Sequence, residues 1–105
     1  MNEELLGKIH NVDCLDFMRS LPDKCIDLVV TDPPYGMNYQ SSRRTDKYEK
    51  IENDVSLEWF LPWAKESYRI MKDDTHLYAF CNEYAVSHFR DWLEEAGFTN
   101  KRTLV

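Results

Sequence analysis

A short run of residues in the first third of the chain combines groups that could bind a flat molecule bearing an amine. Its members are Asp32, Pro33, Pro34, Tyr35 and Gly36. The carboxylate of Asp32 can accept a hydrogen bond from an amine, and the ring of Tyr35 can stack on a heterocycle. Because proline has no N–H and cannot continue a ladder, the carbonyl of Pro33 is left to accept a second amine hydrogen. The run therefore predicts a site for a planar substrate.

The sequence before this run predicts the element that positions it. Residues 26–31 are nearly all apolar and rich in β-branched side chains, which is typical of a buried parallel strand. In open α/β sheets, ligands bind beyond the carboxyl ends of the strands, where Asp32 would lie. An Asp-Pro-Pro sequence after a strand can equally be a plain turn, and the residues alone leave that alternative open.

The rest of the chain predicts strands that alternate with helices, and hence an α/β fold with a parallel sheet. We expect further strands at residues 8–12, at 76–81 and from 98 to 105, and helices at 14–21, 56–71 and 83–96. Asp13 and Ser56 are suited to cap the first two helices, and Gly97 to end the third. Pro62 is expected to remove a hydrogen bond and bend the second helix, and residues 72–75 to form a turn.

The composition excludes several classes of protein. With 105 residues, the chain is one domain at most, and 13 Lys and Arg against 19 Asp and Glu give a net charge of -6. That balance argues against a nucleic-acid binder that covers phosphates with positive charge. The three cysteines suit reduced thiols, and neither they nor the three histidines have the spacing of a metal motif. We expect no metal, no membrane span and a cytoplasmic location.

The run at residues 32–36 resembles the hallmark of the amino-methylating DNA methyltransferases, in which Asp, Asn or Ser precedes Pro-Pro-Tyr or Pro-Pro-Phe after a sheet strand. Residues 12–28 resemble the family's Gly-Asp, short helix, Leu-Pro-Asp and strand. Residues 68–72 resemble the end of a later helix in the family, and residues 76–80 resemble its next strand. Residues 95–98 resemble the exit of a further helix. Val12 departs from the usual Gly, and residues 73–75 from the usual Pro-Gly-Gly turn. The resemblance implies part of a Rossmann-like S-adenosylmethionine-dependent methyltransferase sheet.

The resemblance implies transfer of a methyl group from S-adenosylmethionine to the exocyclic amine of a base flipped out of double-stranded DNA. Asp32, Pro33, Pro34 and Tyr35 would be the catalytic residues, and Asp in the first position favours adenine N6 over cytosine N4. Asp13, Cys14 and Asp32 would bind the cofactor, with Asp13 accepting from its adenine. Capping of the following helix is an equally good account of Asp13, and the two roles are compatible. The resemblance also implies a role in restriction-modification.

Residues 37–53 could cover the flipped base or contact DNA. Arg43 and Arg44 are the expected phosphate ligands, although a solvated loop explains them equally well. Trp59, Trp63 and Trp92 are interpreted as packing residues of their helices.

A glycine-rich turn for the methionine end of the cofactor is missing, because no two of Gly7, Gly36 and Gly97 are close in sequence. We therefore expect residues 1–105 to be a partial catalytic domain that lacks the glycine-rich segment and the target-recognition region and is inactive alone. The alternative is a noncatalytic binding or assembly protein derived from such an enzyme, with an exposed sheet edge available for forming a homodimer.

Overall fold

The computed structural model describes residues 3–34 and 58–104, which form a two-stranded parallel sheet with helices before, between and after the strands. In chain order the elements are a 3-10 turn at Glu3–Leu5, α1 at Cys14–Arg19, β1 at Ile26–Thr31, α2 at Phe60–Ile70, β2 at Met71–Ala79 and α3 at Val86–Ala96. The segment between the paired strands includes α2, as a parallel connection requires. This mixed architecture is compatible with the predicted α/β fold.

Helix α1 begins where the sequence predicts. The backbone of Asp13 is extended, and its side chain accepts a hydrogen bond from the N–H of Asp16 at 3.1 Å. This contact satisfies one of the N–H groups that the first turn leaves without a helical partner. The predicted cap is therefore confirmed, and the helix ends at Arg19, two residues earlier than expected.

Helix α2 corrects the expectation about Pro62. The predicted start at Ser56 lies outside the described residues, and the helix itself begins at Phe60. Pro62 is then its third residue, and the first helical hydrogen bond runs from Trp63 N–H to the Trp59 carbonyl at 3.2 Å. Since the first turn has no acceptors for its N–H groups, the proline removes no hydrogen bond from α2.

The predicted turn at residues 72–75 forms an irregularity within strand β2. Ile26 pairs with Met71 and Leu28 pairs with His76, so β2 has extra residues between two pairing positions. Asp74 adopts a left-handed backbone with φ of 58°, which Asp tolerates better than most residues. The strand predicted at 76–81 is thus part of a longer strand that ends at Ala79.

Helix α3 begins at Val86, later than the predicted residue 83, and ends at Ala96 with Gly97 as its C-cap, as predicted. Gly97 has φ of 123°, and its N–H donates to the Glu94 carbonyl at 3.0 Å. The ring of Tyr68 packs so closely that a Cβ on Gly97 would lie 2.8 Å from it. Glycine is required here both by the backbone angle and by this contact.

Two predicted strands are wrong. Residues 8–12 and 98–104 have no strand structure, and residue 105 lies outside the described residues. An extended segment becomes a strand only when a neighbouring strand takes its hydrogen bonds. In the described part of the chain, neither segment has such a neighbour.

The core lies between the helices and one face of the sheet. Phe60 of α2 is fully buried and stacks on Phe89 of α3 with ring centroids 4.1 Å apart. Met18 and Leu21 close the core from α1 and the turn that follows it. This packing fixes α1, α2 and α3 on the same side of β1 and β2.

Candidate functional site

The Asp32 run leaves the sheet at the carboxyl end of β1, as the sequence predicts. Thr31 is the last residue of β1, and its carbonyl accepts a hydrogen bond from Phe80 N–H at 2.9 Å. Asp32 is exposed, whereas Pro33 is buried and Pro34 half-buried. The buried proline anchors the turn, so the carboxylate beside it is held near the surface at the end of the strand.

Strand β2 ends at the same edge of the sheet, because the two strands are parallel. The first residue after it, Phe80, is 61% exposed. Asn82 follows, and its side-chain oxygen accepts a hydrogen bond from Ala85 N–H at 2.9 Å. This edge therefore presents a carboxylate and an exposed aromatic ring at the place where open parallel sheets bind ligands.

A separate cavity lies between α1 and α2. Its volume is about 110 Å³, and Asp32 is not among its lining residues. Those residues are Asp13, Cys14, Leu15, Trp59 and Trp63. The start of α1 thus forms one wall, and two indole side chains from the start of α2 form the other.

The electrostatics of the cavity favour a neutral thiol at Cys14. Its partial burial raises the pKa of the thiol, and the carboxylate of Asp13 raises it further. Burial alone likewise raises the pKa of Cys81, near the end of β2. Since the thiolate is the nucleophilic form, these environments do not activate either cysteine.

The cavity residues fit one part of S-adenosylmethionine, its heterocycle. A carboxylate can accept at both oxygens, so Asp13 can cap α1 and still accept a hydrogen bond from an amine. Trp59 and Trp63 supply flat apolar surfaces beside it. The adenine of S-adenosylmethionine, which Asp13 is predicted to bind, is therefore chemically compatible with this cavity.

The structure brings together some of the predicted site residues. Asp13 and Cys14 line one cavity, whereas Asp32, Pro33 and Pro34 form the turn after β1. The remaining predicted residues, Tyr35, Arg43 and Arg44, lie outside the described residues.

Trp59 and Trp63 are cavity residues that the sequence interpretation missed. Their spacing of four places both on one side of a helix, which indicates core packing just as well. Trp63 is indeed buried within the core, so its packing role is confirmed. Only the position of α1 opposite these two residues shows that they also line a cavity.

Residues 3–34 and 58–104 contain neither a metal-binding cluster nor a membrane-spanning helix. No cluster of three or more His, Cys, Asp or Glu residues is placed to hold a metal ion. No helix in the same part of the chain has the length and apolar character needed to cross a bilayer.

Comparison with known proteins gives consistent matches. Residues 26–105 match the profile of a family described as DNA methylase. The type II methyltransferase M.BamHI of Bacillus amyloliquefaciens is 30% identical over 100 residues, which cover 84% of this chain and 23% of that protein. M.PvuII of Proteus hauseri is 32% identical over 68 residues, covering 65% of this chain and 19% of that protein. The chain thus spans less than a quarter of the length of these two relatives.

Proposed function

The chain belongs to the DNA methylase family, and we propose that it is the catalytic-motif portion of a DNA methyltransferase acting on the exocyclic amine of a base. The observation that carries this proposal is the Asp32–Pro33–Pro34 turn, located at the carboxyl end of β1 within the matched residues 26–105. We further propose that the complete domain is a Rossmann-like sheet, of which β1 and β2 are two parallel strands.

Asp32 and Pro33 would act by holding the amine of a flipped base. Accepting hydrogen bonds from both N–H groups favours a pyramidal nitrogen. Its lone pair is then no longer delocalised into the ring and can point at the methyl group that is transferred. When bound, S-adenosylmethionine would supply a sulfonium methyl group to this nitrogen, with S-adenosylhomocysteine as the leaving group. The carboxylate and the carbonyl dipole stabilise the positive charge that develops on nitrogen, and the excess proton then leaves to water. Tyr35 would stack on the base.

The cavity between α1 and α2 is proposed to hold the adenine of the cofactor. Asp13 would accept from its amine, and Cys14 would contact it beside the indole rings of Trp59 and Trp63. Asp32 would lie towards the reacting methyl group. The position of Asp13 at a wall of an aromatic-lined cavity supports this assignment.

Recognition of DNA is proposed to fall mainly to sequence outside residues 1–105. Arg43 and Arg44 would contact phosphates of the duplex, and the net charge of -6 argues against binding that covers phosphates broadly with positive charge. Because Asp leads the motif, we propose adenine N6 as the target. The type II methyltransferase relatives support a proposed role in restriction-modification. We propose the cytoplasm as the location.

The proposed absence of part of the cofactor site leads to a separate prediction about cofactor binding by residues 1–105. We propose that this partial domain lacks the glycine-rich and target-recognition segments and is inactive alone. Calorimetric titration of the 105-residue chain with S-adenosylmethionine should therefore give no measurable heat of binding. Measurable binding would contradict the incomplete site.

The proposed catalytic role of Asp32 is tested by the Asp32→Ala variant of the full-length protein. Methyl transfer should fall by about 10³-fold, because a fixed group that stabilises the developing charge is lost. Affinity for S-adenosylmethionine should stay within a few-fold of wild type, as Asp13 and its cavity are unchanged. Asp27→Ala is a matched control, since it removes an exposed carboxylate of β1, the strand that precedes Asp32, and it should retain activity. Wild-type turnover by Asp32→Ala would remove Asp32 from the mechanism.

A second candidate function is supported by the exposed face of the sheet. Leu28, Val30, Tyr78 and Phe80 are exposed, and such a surface suits association with another polypeptide. A noncatalytic assembly protein could thus form a homodimer through its sheet. A dimer by light scattering, without methyl transfer by the full-length protein, would favour this function.

A further inference from the structure

Arg69, near the end of α2, joins that helix to α1 and to the turn before β1. Its Nη2 donates to the Met18 carbonyl at 2.8 Å, and its Nη1 donates to the Leu21 carbonyl at 3.0 Å. Nη1 also donates to the Asp23 carboxylate at 2.7 Å, and Nε donates to Glu66 at 2.9 Å. One guanidinium therefore connects four groups, three of which belong to the α1–β1 segment.

Helix α1 depends on such contacts for its position. It has six residues, and a helix of this length does not persist without tertiary packing. The Met18 carbonyl in its last turn accepts a backbone hydrogen bond from Leu21 N–H at 3.0 Å, and Arg69 adds a second donor to the same oxygen. The guanidinium also supplies positive charge, which interacts favourably with the C-terminal end of the helix dipole. Backbone bonds from Lys24 N–H to the Arg69 carbonyl at 3.0 Å and from Cys25 N–H to the Ile70 carbonyl at 2.7 Å extend the same junction towards β1.

The opposite end of the α1–α2 pair contains the cavity. Asp13 and Cys14 at the start of α1 face Trp59 and Trp63 at the start of α2 across it. Arg69 lies ten residues after Trp59, which corresponds to roughly 15 Å along a helix. The two helices are thus joined by the Arg69 hydrogen bonds at one end and separated by the cavity at the other.

We propose that Arg69 is a positioning residue that sets the placement of α1 against α2 and thereby the shape of the cavity for the cofactor's heterocycle. The cofactor part of this inference rests on the proposed function. The placement of α1 by Arg69 does not, because it follows from hydrogen bonds within the protein. The two parts can therefore be tested separately.

The placement of α1 is tested first, in the full-length protein without cofactor. Arg69→Met keeps the apolar stem but removes every donor, whereas Arg69→Lys keeps the charge but not the forked geometry. The matched control Lys72→Met removes a different basic group, which pairs with Asp27 at 2.8 Å and does not touch α1. The measurements are amide hydrogen exchange of α1 and α3, and acrylamide quenching of tryptophan fluorescence.

Arg69→Met should accelerate exchange in α1 by about ten-fold, the equivalent of losing one charge-assisted hydrogen bond. Exchange in α3 should be unchanged, and quenching should increase as the cavity tryptophans become accessible. Arg69→Lys should give an intermediate result and Lys72→Met a result like wild type. Unchanged exchange in α1, or equal acceleration in α1 and α3, would overturn the positioning role.

The effect on the cofactor site is tested by titration with S-adenosylmethionine and by kinetics. Arg69→Met should raise Kd and KM for the cofactor by about ten-fold, with kcat at saturation within about two-fold of wild type. Arg69→Lys should recover part of the affinity. A lowered kcat with unchanged KM would overturn the inference. Absence of binding by the wild-type protein would instead refute the proposed function, and the exchange result would still decide whether Arg69 places α1.

Discussion

The two faces of the β1–β2 sheet are built from similar side chains but have different surroundings. On one face, the paired residues Val29 and Leu77 pack against the core formed by the helices. On the other, Leu28 is 54% exposed and Val30 is 61% exposed. The difference shows that the described part of the chain is stabilised from the helical face. The apolar character of β1, which predicts burial on both faces, is matched by packing on one.

The largest expected change in stability follows from removing the ring of Phe60, which lies in the core on the helix-covered side of the sheet. Phe60→Ala should lower the free energy of unfolding by about 3–5 kcal/mol, because it leaves a cavity among stacked rings. Urea denaturation measures the change. Tyr84→Ala, which removes a ring that is 68% exposed, is the control and should have little effect. Equal effects of the two variants would mean that the helical face is not the stabilising one.

A smaller effect is expected where α2 contacts the end of α3. Gly97→Ala should destabilise the protein by about 1–3 kcal/mol, because φ is positive and the new methyl group would meet the Tyr68 ring. Gly7→Ala is a matched control, since Gly7 also has positive φ but has no atom within 4 Å of the added carbon. If both variants lose the same stability in thermal or urea denaturation, the Tyr68 contact contributes nothing.

Substitutions of the neighbouring residues Val29 and Val30 compare directly how much each face of the sheet contributes to stability. Val29→Ala should cost about 1–2 kcal/mol, because two methyl groups are removed from the core side. Val30→Ala should change stability by less than about 0.5 kcal/mol, as expected for an exposed position. Both substitutions lower β-propensity equally, so their difference reports packing. A reversed order of the two unfolding free energies would show that the open face is the packed one.

The smallest effect concerns the thiol of Cys14 at the cavity wall. Asp13→Asn keeps the helix cap but removes the negative charge that helps to raise the pKa of Cys14. The pKa should fall, so that more thiolate is present at a given pH above neutrality. Alkylation of Cys14 by iodoacetamide at pH 8.5 should then be a few-fold faster, with its pH profile shifted to lower pH. A slower reaction would contradict the assigned cause.

Local signals made part of the fold predictable from the sequence. Asp13 as a cap, Gly97 as a helix end and the β-branched run of β1 each act through neighbouring residues, and the structure agrees with all three. Residues 8–12 could not be interpreted in this way, because an extended pattern does not reveal whether a partner strand is present. The effect of Pro62 depends on where α2 begins, and the sequence pattern placed that start at Ser56, whereas the helix begins at Phe60.

The candidate site was predictable to a similar extent. A motif of adjacent residues indicated Asp32 and Pro33, and the structure places their turn at the carboxyl end of β1. The cavity opposite Asp13 was not predictable, because Trp59 lies 46 positions further along the chain and faces α1 only through tertiary packing. The contacts of Arg69 with Met18 and Leu21 were hidden from the sequence for the same reason.

The proposed methylation of an exocyclic amine in DNA is tested most directly by incubating the full-length protein with double-stranded DNA and S-adenosylmethionine that carries a deuterated methyl group. The nucleosides are then analysed by mass spectrometry. The predicted result is labelled N6-methyladenine, which is absent when Asp32→Ala replaces the wild type. Binding of the cofactor without any labelled amine, or label found only on a ring carbon, would contradict the claim.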